Sequence, residues 1–200
     1  MRWPPPSDSD CPSEQCWIAP RGWLELEMND PGNPSPTTTI VVMGVSGAGK
    51  STVMRALAGE LGWAAAEADE FHSPANVAKM RSGRPLTDED RWPWLEALAA
   101  WIGERESSGQ DALVTCSALR RSYRDLLRLG HSSVWFAHLV VDPAVIADRL
   151  EQRRGHYMPA ALLDSQLDAL EPLEADEPGA SISARRPPPE IVADILARLS

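Results

Sequence analysis

Ile40-Val41-Val42-Met43-Gly44-Val45-Ser46-Gly47-Ala48-Gly49-Lys50-Ser51-Thr52 is the stretch that decides the fold. Its last nine residues satisfy the pattern G-x-x-x-x-G-K-[ST], and the setting suits that pattern. Four apolar residues before the loop read as a buried parallel strand. Thr52-Val53-Met54-Arg55-Ala56-Leu57-Ala58 after it has helical spacing. Small residues let backbone N–H groups turn inward around a phosphate chain, with the positive end of the helix behind them. The expected nucleotide-binding residues are therefore Gly44, Val45, Ser46, Gly47, Ala48, Gly49, Lys50, Ser51 and Thr52. Lys50 would reach the β- and γ-phosphates of ATP, and the Ser51 hydroxyl would hold Mg²⁺. A glycine-rich turn that binds nothing is the bland alternative, and the flanking strand and helix count against it. The loop does not say what receives the phosphate.

Working outward, the 200 residues suit one α/β domain with small additions. A hydrophobic share of 43% is enough for a real core. The net charge of −10 argues against nucleic acid and against an anionic membrane surface as partners. An acidic enzyme with an anionic substrate must gather its arginines locally. No stretch approaches the roughly 18 apolar residues of a membrane span. The first residues contain no apolar signal region. Cys11, Cys16 and Cys116 do not form a disulfide framework, and Cys116 follows a buried strand, where a structural role is expected. These features predict a cytoplasmic protein.

Residues 1–36 hold eight of the 18 prolines. Proline removes helix and ladder hydrogen bonds, so a disordered, Pro-rich leader is predicted here. Alternatives are docking through Trp3, Trp17 and Trp23, or translation from Met28. Residues 37–200 form the expected domain. Strands are predicted at 40–43, 63–67, 111–116 and 134–141, with a poor fifth around Ile182. Helices are predicted from the loop to Leu61, at 74–82, 88–106 and 119–129, and from Asp142-Pro143 to Arg154. Two more should run from Pro159 to Leu170 and from Pro188 to Leu199. Alternating strands and helices mean a parallel sheet with helices on both faces, the arrangement of a P-loop NTPase. A small helical insert (about 74–106) and a lid (about 149–172) complete the expected α/β fold.

Parallel sheets place ligands at the carboxyl ends of their strands. The second strand delivers Asp69 and His72 there. Asp69 is a candidate to orient an acceptor hydroxyl and take its proton late, or else a helix cap or surface acid. His72 is a candidate substrate contact or a structural hydrogen-bonder. In the insert, Lys79, Arg81, Arg84 and Arg91 either grip a substrate or form a solvated, salt-bridged hairpin. Trp92 and Trp94 read as core. Arg120 and Arg124 are four apart on one helix face, and guanidinium suits a substrate carboxylate. Arg149 and Arg153, beside Arg154 and His156, are candidates for a lid over the transferring phosphoryl, or an exposed basic helix end.

At this point the chain resembles the gluconokinases, small P-loop kinases of the shikimate-kinase-like group. Residues 40–51 resemble that family's phosphate loop, and Glu67-Ala68-Asp69 with His72 resembles its D-G-D-x-x-H. The pattern N-x-x-K-M-x-x-G-x-P-L-x-D-x-D-R-x-P-W-L is matched in full from Asn76 to Leu95. CSALRRSYRDLLR at 116–128 and RRGHYMPAALLDSQLDALEP at 153–172 are also similar. The resemblance spans residues 40 to about 175. It implies ATP- and Mg²⁺-dependent phosphorylation of D-gluconate to 6-phospho-D-gluconate, and a homodimer. It also implies Lys50, Asp69, Arg149 and Arg153 as catalytic residues, and Asp69, His72, Lys79, Arg81, Arg124 and His156 as substrate contacts. Another sugar acid, or a hydroxy acid such as shikimate, remains an alternative acceptor, and a nucleotide-binding regulator without turnover a further one. The sequence departs from the pattern at Glu67-Ala68, where Asp-Gly is usual, and at Arg120, where Lys is usual. After Pro172 the fit fades.

Overall fold

The computed structural model describes residues 37–142, 145–146 and 160–199. The expected leader at 1–36, and Arg149, Arg153, Arg154 and His156 of the expected lid, lie outside the described residues. Five strands form one sheet: β1 (Thr39–Met43), β2 (Ala64–Glu67), β3 (Ala112–Cys116), β4 (Val134–Val140) and β5 (Gly179–Ser183). All are parallel, in the order β2-β3-β1-β4-β5. The helices described in full are α1 (Lys50–Leu61), α2 (Pro74–Arg81), α3 (Asp88–Ser107), α4 (Arg121–Arg128), α5 (Ala160–Ala169) and α6 (Pro188–Leu199).

Helices cover both faces, as the alternation predicts. On one face Ile40 and Val42 of β1 pack with Met54 and Leu57 of α1, Leu163 of α5, and Ile191 and Ile195 of α6. On the other, Val41 and Met43 pack with Leu95, Leu98 and Ile102 of α3 and with Leu127 of α4. The apolar run that opens the sequence argument is thus buried on both sides, as a central parallel strand must be. Each such side chain contributes about 1.5–3 kcal/mol on full burial.

Element ends follow local chemistry. Gly62 stops α1 in the left-handed region (φ 68°) and returns its N–H to the Ala58 carbonyl. Thr87 and Asp90 form a reciprocal capping box that starts α3. The weak fifth strand is real: Gly179 to Ser183 pair in parallel with Phe136 to Val140. Only Ile182 of this strand is fully buried, so no apolar run marks it in sequence. Gly179 is obligatory, because a Cβ there would stand 2.5 Å from the Phe136 carbonyl oxygen. Helix α4 begins at Arg121, two residues later than predicted, with extended Arg120 at its N-cap and buried Leu119 before it.

One buried charge ties the end of β3 to the segment between α5 and β5. Arg124 and Glu177 are both fully buried as side chains and pair at 2.5 Å through Nε and at 2.9 Å through Nη2. Arg124 also donates to the carbonyls of Ala118, Leu119, Glu171 and Pro172. Ala118 is left-handed (φ 42°), an uncommon state for a residue with a Cβ. Its carbonyl is fixed by this guanidinium. Arg124→Ala should destabilise the fold by about 3–5 kcal/mol, because it leaves Glu177 buried and unpaired. Urea unfolding monitored by tryptophan fluorescence checks this; a loss below about 1 kcal/mol would contradict a structural role.

Candidate active site

The phosphate loop leaves β1 through three glycines in conformations that side chains avoid: Gly44 (φ 136°), Gly47 (φ 82°) and Gly49 (φ 100°). Gly44 also lies against β4, where a Cβ would meet the Leu139 carbonyl at 2.9 Å. Its N–H donates to the Ser117 carbonyl, linking the exits of β1 and β3. Val45 and Ala48 are buried, which anchors the loop in the core beneath it. Lys50 begins α1, and its Nζ donates to the Val45 carbonyl at 3.1 Å. The amine therefore lies folded across its own loop.

The Glu67 carboxylate at the end of β2 reaches this loop. Its Oε2 accepts from the Ser51 hydroxyl at 2.9 Å and from Thr115 Oγ1 of β3 at 2.6 Å. Its Oε1 is buried and receives no hydrogen bond; Arg55 stands 3.6 Å away. A hydroxyl beside a carboxylate oxygen left without a donor suits a hard divalent cation. No cluster of three or more His, Cys, Asp or Glu able to hold a metal occurs among the described residues. The longer Glu67 thus takes the place expected of an aspartate. Ala68 has no left-handed φ, so the turn does not require glycine.

Asp69 is exposed in the single 3-10 turn Ala68–Phe71 that follows β2. The turn is clamped from the insert: Trp94 Nε1 donates to the Ala68 carbonyl at 2.6 Å, and the Trp94 ring stacks on His72 at 4.3 Å. Trp94 is therefore core, as predicted. His72 is half-buried with Nδ1 lacking a partner. Burial lowers its pKa, Asp69 opposes that shift and Arg91 adds to it. Lys50 and Asp69 both act on the buried Cys116 thiol, whose pKa burial pushes up to about 12. The phosphate loop and the Asp69 turn thus both lie near the end of β3, and Cys116 itself is inert as a nucleophile.

The insert is more self-paired than its charge pattern suggests. Lys79 is ion-paired with Asp90, and this bond with the Thr87 N–H holds the Asp90 carboxyl down at about 2. Arg81 is exposed on α2. Arg91, Arg120 and the Tyr123 hydroxyl all converge on Asp88, at 3.1, 2.7 and 2.5 Å. Arg121 pairs with Glu174, Asp176 and Asp125 at the surface.

Arg124 corrects the sequence reading. It was expected to grip a substrate carboxylate, but every N–H of its guanidinium is already directed at Glu177 or a carbonyl in the core. Its spacing from Arg120 hid this, because the partner acid lies 53 residues away. Two contacts were missed for the same reason of distance: Glu67 to Ser51, and Gln166 of α5 to the Ser46 N–H. The acid at the end of β2 was a usable signal for the first; nothing local marks the second. A surface cavity of 470 Å³ beside Trp63 and Arg105 opens at the amino ends of β2 and β3, opposite the loop.

A glycine-rich loop after β1, in a parallel sheet ordered 2-3-1-4-5 with an acidic turn after β2, defines a P-loop kinase. Residues 40–173 match a family described as an AAA domain. A gluconokinase of Gluconobacter oxydans is 47% identical over 157 residues, covering 78% of this chain and 88% of that protein. The solved gluconokinase of Sinorhizobium meliloti is 45% identical with a TM-score of 0.72, covering 84% of this chain and 93% of that one. An unliganded sugar kinase of Janibacter is 52% identical with a TM-score of 0.79, covering 82% and 95%. The chain belongs to the gluconokinase family.

Two histidines, His138 buried and His72 half-buried, set a pH dependence. His138 of β4 is buried, contacts Ser181 at 3.4 Å, and has its pKa lowered by burial and by Arg124. Like His72, it binds its proton less readily folded than unfolded. Its contribution is complete above the unfolded pKa of about 6.5 and is lost as pH falls through the lower folded value. Between pH 7 and 5 the wild type should lose melting temperature faster than His138→Gln; parallel profiles in a thermal-shift series would contradict this.

Proposed function

We propose that this chain transfers the γ-phosphoryl group of ATP to the 6-hydroxyl of D-gluconate. The observation that carries the reading is the meeting of the phosphate loop, Glu67 and the Asp69 turn at one edge of the sheet. The attacking hydroxyl oxygen forms a bond to phosphorus as the bond to the ADP oxygen breaks, and its proton passes to Asp69. Lys50 neutralises the β- and γ-phosphates, and the loop N–H groups wrap them. Ser51 and Glu67 would hold Mg²⁺, which when bound screens the charge on the phosphate oxygens. His72 and Arg81 flank the acceptor side. With Arg124 committed to the core and Lys79 to Asp90, Arg91 and Arg120 are better placed to meet the carboxylate of a sugar acid. Arg149, Arg153 and His156 retain their proposed lid role. A homodimer is the assembly that the family resemblance supports, in the cytoplasm that the sequence features predict, and light scattering would read twice 21.9 kDa.

ADP release by the purified full chain should depend on gluconate and not on shikimate or glucose. No release with gluconate, beside release with another acid, would sink the substrate assignment. Asp69→Asn should lower kcat by about 10²–10⁴ while ATP still binds. Unchanged gluconate turnover would remove Asp69 from the mechanism.

A further inference from the structure

Gln166 sits at an apolar seam. On α5, Leu163 is buried and Leu167 partly buried in the same cluster that holds Val45 and Ala48 of the phosphate loop. Residues 163, 166 and 167 share one helix face, so a polar amide stands where an apolar side chain would fill the contact. Its Oε1 accepts the Ser46 N–H at 2.7 Å, across 120 residues of chain. That N–H belongs to the loop itself, between buried Val45 and left-handed Gly47. Accepting from a backbone N–H fixes which end of the amide is oxygen. A side-chain amide carries two further donors on nitrogen, and these have no acceptor among the described residues. The amide is rigid, so its nitrogen lies within about 5 Å of the Ser46 nitrogen, at the loop that cradles phosphate.

We infer that Gln166 is a two-ended latch: its Oε1 holds the phosphate loop, and its Nε2 donates to an oxygen of the terminal phosphoryl group of bound nucleoside triphosphate. Helix α5 (Ala160–Ala169) lies within the segment read as the lid (about 149–172). The latch therefore makes the seating of that helix sensitive to whether the third phosphate is present. It distinguishes ATP from ADP by one donor that only the triphosphate can use, and that donor stabilises charge on the group being transferred. The inference rests on the ATP reading of the loop and not on the identity of the acceptor.

Two variants of the full chain test it, Gln166→Glu and Gln166→Met. The first keeps an oxygen for the Ser46 N–H but has no donor; the second keeps length and has neither. Binding of ADP and of a non-hydrolysable ATP analogue is measured by calorimetry, with melting temperature recorded without nucleotide. In both variants the analogue should lose about 10-fold or more in affinity, while ADP changes by less than about 3-fold. Gln166→Glu should hold its melting temperature near wild type. An unchanged ratio of the two affinities in either folded variant would overturn the latch. So would an equal loss for both nucleotides, which marks Gln166 as a support for the loop alone. Because no acceptor is present, failure of the gluconate assignment would leave this result standing.

Discussion

One buried guanidinium organises the carboxyl edge of the sheet. Burying a charge is costly unless it is paired and every donor is met. Arg124 meets that condition with a carboxylate and four carbonyls drawn from the exit of β3 and from the segment between α5 and β5. Glu177 in turn accepts the Glu174 N–H at 2.9 Å, so the loop that leads into β5 is folded around the pair. The strained Ala118 and the short edge strand β5 both depend on it.

That frame brings the chemistry into place with few direct contacts. Thr115 of β3 and Ser51 of α1 share one oxygen of Glu67, so three elements set the angle of a single carboxylate. An aspartate there is one methylene shorter. Ala66 and Ala68 on either side of Glu67 are buried, and the end of β2 pairs in register with β3 up to Glu67 and Thr115. Alanine is tolerated at position 68 because the turn there does not need positive φ, and the Glu67 carboxylate reaches both Ser51 and Thr115.

The sheet, its direction and the phosphate loop were legible because they rest on local patterns: an unbroken apolar run, glycine spacing and helix caps. Trp94 was legible as core for the same reason. Arg124 was not. Its helical spacing from Arg120 suggested a shared surface, but the first turn of α4 rotates each residue about 100° from the last. What decides its side is Glu177, which no local pattern reveals. Strand β5 was nearly invisible because an edge strand with one buried residue needs no apolar run. For Lys79 the sequence left two readings open, a substrate contact or a salt-bridged hairpin, and its ion pair with Asp90, eleven residues on, shows the second.

The three arginines after β3 show how an acidic chain distributes positive charge at one edge of its sheet. Arg121 faces Glu174, Asp176 and Asp125 in solvent, where ion pairs are individually weak and serve to dock a loop. Arg124 is consumed by the core. Arg120 is held by Asp88 through one nitrogen, beside Arg91, and keeps Nε and Nη2 without an acceptor among the described residues. Two guanidiniums sharing one carboxylate with a tyrosine hydroxyl retain net positive charge, whereas Arg121 among three acids does not. Among the described arginines after β3 and beside Asp88, the residual positive charge therefore lies at Arg91 and Arg120. The overall charge of −10 does not oppose such a site, because beyond about 10 Å exposed charges are largely screened at physiological salt. What matters is that the acids nearest the site are fewer than the cations they hold, and around Asp88 that is so.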